Sequence, residues 1–409
     1  MSVAADVVVT GMGVVSPAGC DLAGFWPALL AGRSLAAPVT TFDTSRHKAR
    51  IGCQVAGFEQ HEHLGAKEAR RMDPFARYAL AAALSAHTHA GAPTVDVTRT
   101  AVVVGNAVGG RTVSDQESRN HDVHGPARVN PLMPLMTMPN AAAALISMRL
   151  GWRGPATTIA NTCASGADAI GHAALLLRTG QADIVLAGGA EATLTPVTMA
   201  AFGNLGAVSA RNDDPAAAAR PFDVDRDGFV MGEGAAFVVL ERRADAAARG
   251  ATAHAVVSGY ASGSDAYHLS MPRAGGDGAA AVMTAAITAA GLRPDDIRHV
   301  NAHGTATPHN DRAEARALHT VFGADQPPVT SLKGTIGHLI GAAGAVEFVA
   351  TVLALRHGLV PPTANHQKTE PGMDLDVVAG AARVVPAGPA LSNSFGFGGH
   401  NAALVVSPA

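Results

Sequence analysis

One cysteine, two histidines and a lysine stand where strands give way to helices. In TTIANTCASGADAIGHAALLLRTG an extended run ends at Asn161–Thr162, a helix opens directly after Cys163, and Gly180 is its stop. A cysteine on such a turn meets free N–H groups and the positive end of the helix dipole. Both favour thiolate and lower the thiol pKa from about 8.5. The same N–H groups can hold an oxyanion after attack on a thioester. A free cysteine is equally at home as a small buried hydrophobe, and that reading is left to Cys20 and Cys53.

In VNAHGTATPHND, His303 ends a strand and precedes a Gly/Thr/Pro loop, the edge where open α/β sheets place ligands. Imidazole there can donate to an oxygen or pass a proton near pH 7, although a strand-end histidine serves structure as readily. The hydroxyls of Thr305 and Thr307 can bond an extended polar ligand, and Asn310 or Asp311 is set to cap the next helix. SLKGTIGHLIGAAGAVE reads strand, tight turn, helix, with His338 at the helix start. A helix N-terminus disfavours imidazolium and keeps His338 a neutral donor. Lys333 needs a carboxylate if it is buried, and Glu347 on the following helix is the candidate. Only four of the 30 basic residues are lysines, which sets Lys333 apart. In LSNSFGFGGHNAALVV an alternating strand is broken by Gly396, Gly398 and Gly399. Glycines at that density form a hairpin turn, or bring backbone N–H groups up to a ligand.

The elements that must position these groups alternate along the chain. Strands are expected at 6–10, 100–105, 183–187, 235–240, 253–259, 297–301, 329–331 and 402–406, and helices at 164–178, 278–290, 312–321 and 338–356. That alternation predicts α/β layers with mostly parallel strands. VVVTGMGVVSP and AVVSGYASGSD both run from a strand into glycine, which points to two similar halves, 1–250 and 251–409. RNDDPAAAARPFDVDRD reads as a surface loop, and Val108 to Met138 as a long irregular segment.

Composition sets the outer bounds. The 409 residues carry a net charge of −3, with 48% apolar and 15% charged residues, enough for a large core and too ordered for a disordered chain. Near-neutral charge and 4% aromatics argue against nucleic acid as a partner. Three cysteines without a C-x-x-C pair fit a reducing, cytoplasmic setting. No signal peptide is visible at the start, and the most apolar stretch, Leu339 to Leu355, carries Glu347 and falls short of about 20 apolar residues, so no membrane role is expected. Among 18 histidines, His61/His63 and His87/His89 lack further ligands at recognisable spacing, so no metal is expected.

TCASGADAIG, NAHGTATPHND, KGTIGHLIGAAGAVE and SNSFGFGGHN, in that order, resemble the motifs of the β-ketoacyl-acyl carrier protein synthases, of the synthase I/II branch of the thiolase-fold condensing enzymes. The resemblance runs over essentially the whole chain. It implies a thiolase fold: two pseudo-symmetric βαβαβ halves in a five-layered αβαβα core, the first with the nucleophile and the second with the histidines, the lysine and the glycine-rich loop. It implies decarboxylative condensation of a Cys163-bound acyl chain with malonyl carried on an acyl carrier protein. His303 and His338 then stabilise the enolate, supported by Lys333 and Glu347, and the backbone amides of Cys163 and Phe397 form the oxyanion hole. Thr305 and Thr307 contact the phosphopantetheine arm, Phe395 and Phe397 gate the acyl pocket, and Val108 floors it with Met133 of a second subunit. No tightly bound cofactor is implied, because phosphopantetheine arrives on the carrier protein. The expected assembly is a homodimer, or a heterodimer with a chain-length factor. Lys67, Arg70 and Arg71 in GAKEARRMD, on one helical face, receive the acidic carrier.

Three positions depart from the family's pattern. Asn161–Thr162 stand where a small residue more often precedes the cysteine, Gly334 replaces a commoner serine, and His400 a frequent threonine. A non-catalytic chain-length factor lacks the cysteine present here. A thiolase has a second cysteine in the C-terminal glycine loop, an initiating synthase has Asn at the place of His338, and a cysteine hydrolase has no use for paired histidines. GFGGHN and TATP suggest housekeeping fatty acid elongation. ARNDDP, SDAYH and NDRAE tilt the reading slightly toward a polyketide or specialised-lipid ketosynthase.

Overall fold

The computed structural model describes residues 6–58 and 64–409; His61 and His63 lie outside the described residues. Ten strands form two sets of five. The first is β1 (Val7–Val15), β2 (Thr100–Gly105), β3 (Ala156–Ile159), β4 (Ile184–Glu191) and β5 (Gly234–Arg242). The second is β6 (Ala255–Ser264), β7 (His299–Asn301), β8 (Val329–Thr330), β9 (Ala390–Gly396) and β10 (His400–Ser407). The spatial order is β3-β2-β4-β5-β1 in one set and β8-β7-β9-β10-β6 in the other, the same winding twice, joined through β1 and β6.

The helices repeat the winding. Between β1 and β2 runs α1 (Pro74–His89). Between β2 and β3 lie α2 (Arg111–His124), α3 (Met133–Thr137) and α4 (Ala141–Leu150). Next come α5 (Ser165–Arg178) after β3 and α6 (Pro196–Leu205) after β4, then α7 (Asp277–Ala289), α8 (Pro308–Phe322) and α9 (Ala343–His357). α5 and α9 pack on each other between the two sheets, α1 and α4 cover the first sheet, and α7 covers the second, with α8 packed beside α7 in the same core cluster. Five layers result, αβαβα.

The expectation of mostly parallel strands is corrected. β2 pairs in parallel with β3 and β4, and β7 with β8 and β9, but the other five neighbouring pairs are antiparallel. A strand covered on both faces reads as an unbroken apolar run whichever way its neighbour points, as in β1, where all nine residues are buried. The Val108–Met138 segment is not irregular, for it holds α2 and α3. Only Val113 and Glu117 of α2 are buried, so its sequence lacks an apolar stripe to betray it. The 211–227 segment is a loop that turns inward at its end. Phe222 is fully buried, and buried Arg226 pairs with Asp311 at 3.4 Å and Glu370 at 2.5 Å. Ile340–His357, the one stretch among the described residues with the length and apolarity to cross a membrane, is a 3₁₀ turn followed by the buried core helix α9.

Candidate active site

Both halves send residues into one cavity of about 520 Å³. Cys163 comes from a 3₁₀ turn, Thr162–Ala164, that leads from β3 into α5. His303 follows β7, and His338 follows a four-residue helix, Lys333–Ile336, beyond β8. Thr305, Thr307, Val108, Phe395 and Phe397 line the same cavity. The side-chain donor atoms of Cys163, His303 and His338 lie within 4.8 Å of one another, and His338 Nε2 is 3.0 Å from Cys163 Sγ. The two imidazoles meet edge to face at 5.3 Å, with Phe229 against His338 and Phe395 against His303.

The electrostatics differ from the sequence expectation at Cys163. Burial pushes its thiol up to about 12, and Lys333 and a hydrogen bond from the Phe397 N–H offset only part of that. The loss of water outweighs the turn's donors and the helix end, so the resting sulfur is a thiol and not a thiolate. Burial, and then the Lys333 cation, hold His303 and His338 well below the ordinary imidazole range. The resting site is therefore a neutral thiol beside two neutral imidazoles.

His338 is neutral for a reason other than the expected one. It does not begin a helix, since α9 starts at Ala343. Gly337, at φ +72°, turns the chain out of the short helix, and the His338 N–H then donates to Val230 O at 2.7 Å. Lys333 Nζ and Glu347 Oε1 are 2.5 Å apart and both buried, as expected of a lysine that needs a carboxylate. Burial raises the Glu347 carboxyl and Lys333 opposes the rise.

Asn310 and Asp311 do not cap α8, which begins earlier, at Pro308. Asp311 instead accepts the Phe222 N–H at 2.8 Å. Glu314 was not anticipated at all. From the inner face of α8 it accepts the N–H of His303 at 2.8 Å and of Gly304 at 2.7 Å, which fixes the loop that carries the imidazole. The signal was a glutamate in NDRAE eleven residues beyond a strand-end histidine, but only burial distinguishes it from a solvated helix face.

The glycine-rich segment is a hairpin, β9 to β10, with Phe397–Gly399 at its tip. A Cβ on Gly396 would fall 2.0 Å from Thr162 Oγ1 and 3.1 Å from Cys163 N, so only glycine lets the tip approach the cysteine. Thr305 and Thr307 hydroxyls meet at 2.9 Å. Met133 is half-buried at the start of α3 and is not among the residues that line this chain's own cavity. Lys67, Arg70 and Arg71 are exposed, but their helix is a single turn, Ala66–Ala69, ended by Arg70 rather than an extended face. Among the described residues, Cys163, His303 and His338 are the one group of three or more that could ligate a metal. The Nδ1 atoms of both histidines are buried without a protein partner.

Comparison with known proteins adds a second line. Residues 4–246 match the family model for the β-ketoacyl synthase N-terminal domain, and residues 254–367 match that for the C-terminal domain. The chain is 42% identical over 403 residues to a 3-oxoacyl-[acyl-carrier-protein] synthase 2 from Synechocystis sp., which covers 97% of both chains. It is also 42% identical to the protein of that name from Vibrio cholerae, over 98% of both. Among solved structures it superposes on the ishigamide ketosynthase/chain length factor with a TM-score of 0.93 at 34% identity, over the full length of both. A type II polyketide ketosynthase solved with its acyl-carrier protein, AntDE:AntF, gives 0.90 at 31%, again over both full lengths.

Proposed function

The chain belongs to the β-ketoacyl synthase family of acyltransferases, and we propose that Cys163 is the nucleophile of a decarboxylative condensation between an acyl chain and malonyl, both delivered on acyl carrier protein. The observation that carries the reading is the 3.0 Å contact between His338 Nε2 and the Cys163 sulfur, with His303 beside it. In the first step the sulfur attacks the acyl thioester. Its proton passes by way of His338 to the departing pantetheine sulfur, and the imidazole is neutral again. In the second, malonyl thioester loses carbon dioxide. With Cys163 acylated, its S–H no longer occupies His338 Nε2, and the negative charge that develops on the thioester oxygen is met by the neutral imidazoles of His303 and His338 in their N–H donor tautomers, which suit it better than a base does. The carbanion then attacks the Cys163 thioester, the tetrahedral oxygen sits between the N–H groups of Cys163 and Phe397, and collapse expels the Cys163 thiolate, which takes up one proton from solvent by way of His338 to restore the thiol.

The same reading assigns Lys333 and Glu347 to support of the histidines, Thr305 and Thr307 to the pantetheine arm, and Phe395 and Phe397 to the gate. Val108, with Met133 from a second subunit, bounds the acyl chain, and Lys67, Arg70 and Arg71 receive the carrier. It divides the chain at residue 250, needs no tightly bound cofactor, and belongs in the cytoplasm. Incubation with an acyl-acyl carrier protein adds the acyl mass to the tryptic peptide that contains Cys163, and Cys163→Ala abolishes condensation. Label confined to Cys20 or Cys53 overturns the assignment.

Two pathways remain in view, each on a specific observation. Identity is higher to synthase 2 proteins than to the polyketide ketosynthases, which favours fatty acid elongation. The ARNDDP, SDAYH and NDRAE segments favour a polyketide or specialised-lipid system. Turnover with saturated acyl carriers against β-ketoacyl or polyenoyl carriers separates them.

A further inference from the structure

Thr162, directly before the cysteine, is the unusual residue of the site. It is β-branched yet holds φ at +49°, a region such residues rarely enter unless the surroundings impose it. Its hydroxyl donates to the carbonyl of Phe397 at 3.1 Å, on the tip of the β9–β10 hairpin. The tip is held on its other side by backbone alone: Gly398 N–H donates to Leu269 O at 2.8 Å, and Asp265 N–H donates to Gly399 O at 2.9 Å. Those bonds need no particular side chain. The hydrogen bond from Thr162 needs a hydroxyl, and it sits at the bare flank of Gly396, where the backbones pass closest.

Phe397 faces the apolar part of the cavity, with its ring 6.4 Å from that of Phe202, which in turn packs on Phe229. In the reading above, in which Phe397 gates the acyl pocket, a chain passing between Phe202 and Phe397 requires the tip to move, and that movement breaks the bond from Thr162. We propose that Thr162 is a positioning residue whose hydroxyl latches the Phe397 tip against the cysteine turn, opposing entry of long chains until the tip moves. This deepens the reading above and rests on it, since it takes the tip as the movable wall of the acyl cavity. A chain with a small residue at 162 has no such latch.

The test compares two alkylating reagents with the same reactive group, iodoacetamide and N-dodecyl iodoacetamide, on the full-length protein. Only the second has a chain that must enter the cavity, so the ratio of their rates at Cys163 reads the tip and cancels changes in thiol reactivity. Loss of one neutral hydrogen bond shifts the tip equilibrium about fivefold. The dodecyl-to-parent ratio is expected to rise about fivefold in Thr162→Val and in Thr162→Ala, and to stay within about twofold of the parent protein in Thr162→Ser, which keeps the hydroxyl. Thermal melting identifies a variant that fails to fold, and the alanine variant decides if valine does. An unchanged ratio in the variants without a hydroxyl, or a serine variant that moves with them, overturns the latch. No alkylation of Cys163 in any variant, parent included, is a failure of the nucleophile assignment instead.

Discussion

His338 presents Nε2 to the Cys163 sulfur at 3.0 Å while burial holds the thiol protonated and the imidazole neutral. The pair is thus poised as S–H and N, not as the thiolate–imidazolium pair of cysteine hydrolases. With the thiol raised to about 12, the thiolate fraction below that value grows tenfold per pH unit. Iodoacetamide alkylation of Cys163 is therefore expected to climb steadily from pH 6 to pH 10. A plateau reached below pH 8 means the sulfur is already ionised and the burial argument is wrong.

His303 makes no hydrogen bond to the sulfur, whereas His338 does, and the proposed mechanism gives it only the malonyl step. His303→Ala is expected to keep acyl loading on Cys163 while condensation falls by about 10²–10³, the usual cost of one oxyanion donor. Single-turnover loading, read by intact mass, separates the two steps. Equal losses in loading and condensation refute the division.

Lys333 and Glu347 form a buried pair across the loop that carries His338. Glu347→Ala strands the lysine charge, which typically costs about 3–5 kcal/mol and lowers the melting temperature accordingly. Lys333→Met with Glu347→Leu is expected to recover most of that stability but not the condensation rate. A double variant with parental activity would reduce the pair to packing.

Carrier docking is testable at the exposed Lys67 and Arg70. Lys67→Glu with Arg70→Glu is expected to raise KM for carrier-bound acyl groups several-fold and to leave a small acyl thioester nearly unaffected, because steering acts on encounter. Added salt should weaken the parent's advantage. Equal losses with both substrates would mean the patch is structural.

The hairpin tip requires glycine at 396. Gly396→Ala puts a methyl within 2.0 Å of the Thr162 hydroxyl, so the tip must withdraw. Condensation is expected to fall at least tenfold, with the Phe397 amide no longer at the sulfur. Gly396→Ala in a Thr162→Ala background should recover part of the loss. No recovery would locate the clash elsewhere.

What the chain's residues determined unaided was the inventory and the approximate places: a cysteine ahead of a helix, histidines after strands, a rare lysine in need of a carboxylate, a glycine-rich hairpin, and the doubled strand-then-glycine opening of the two halves. Those features are local, and short-range periodicity and turn chemistry suffice to read them. The protonation state of Cys163, the helix that does not begin at His338, the service of Glu314 to His303 and the hydrogen bond from Thr162 were decided only by the tertiary structure. Each depends on burial, or on a contact between segments far apart in the chain: 175 residues separate Cys163 from His338, and 235 separate Thr162 from Phe397. Strand direction was hidden for the same physical reason. With helices on both faces of each sheet, parallel and antiparallel strands present the same apolar run, and only their neighbours tell them apart.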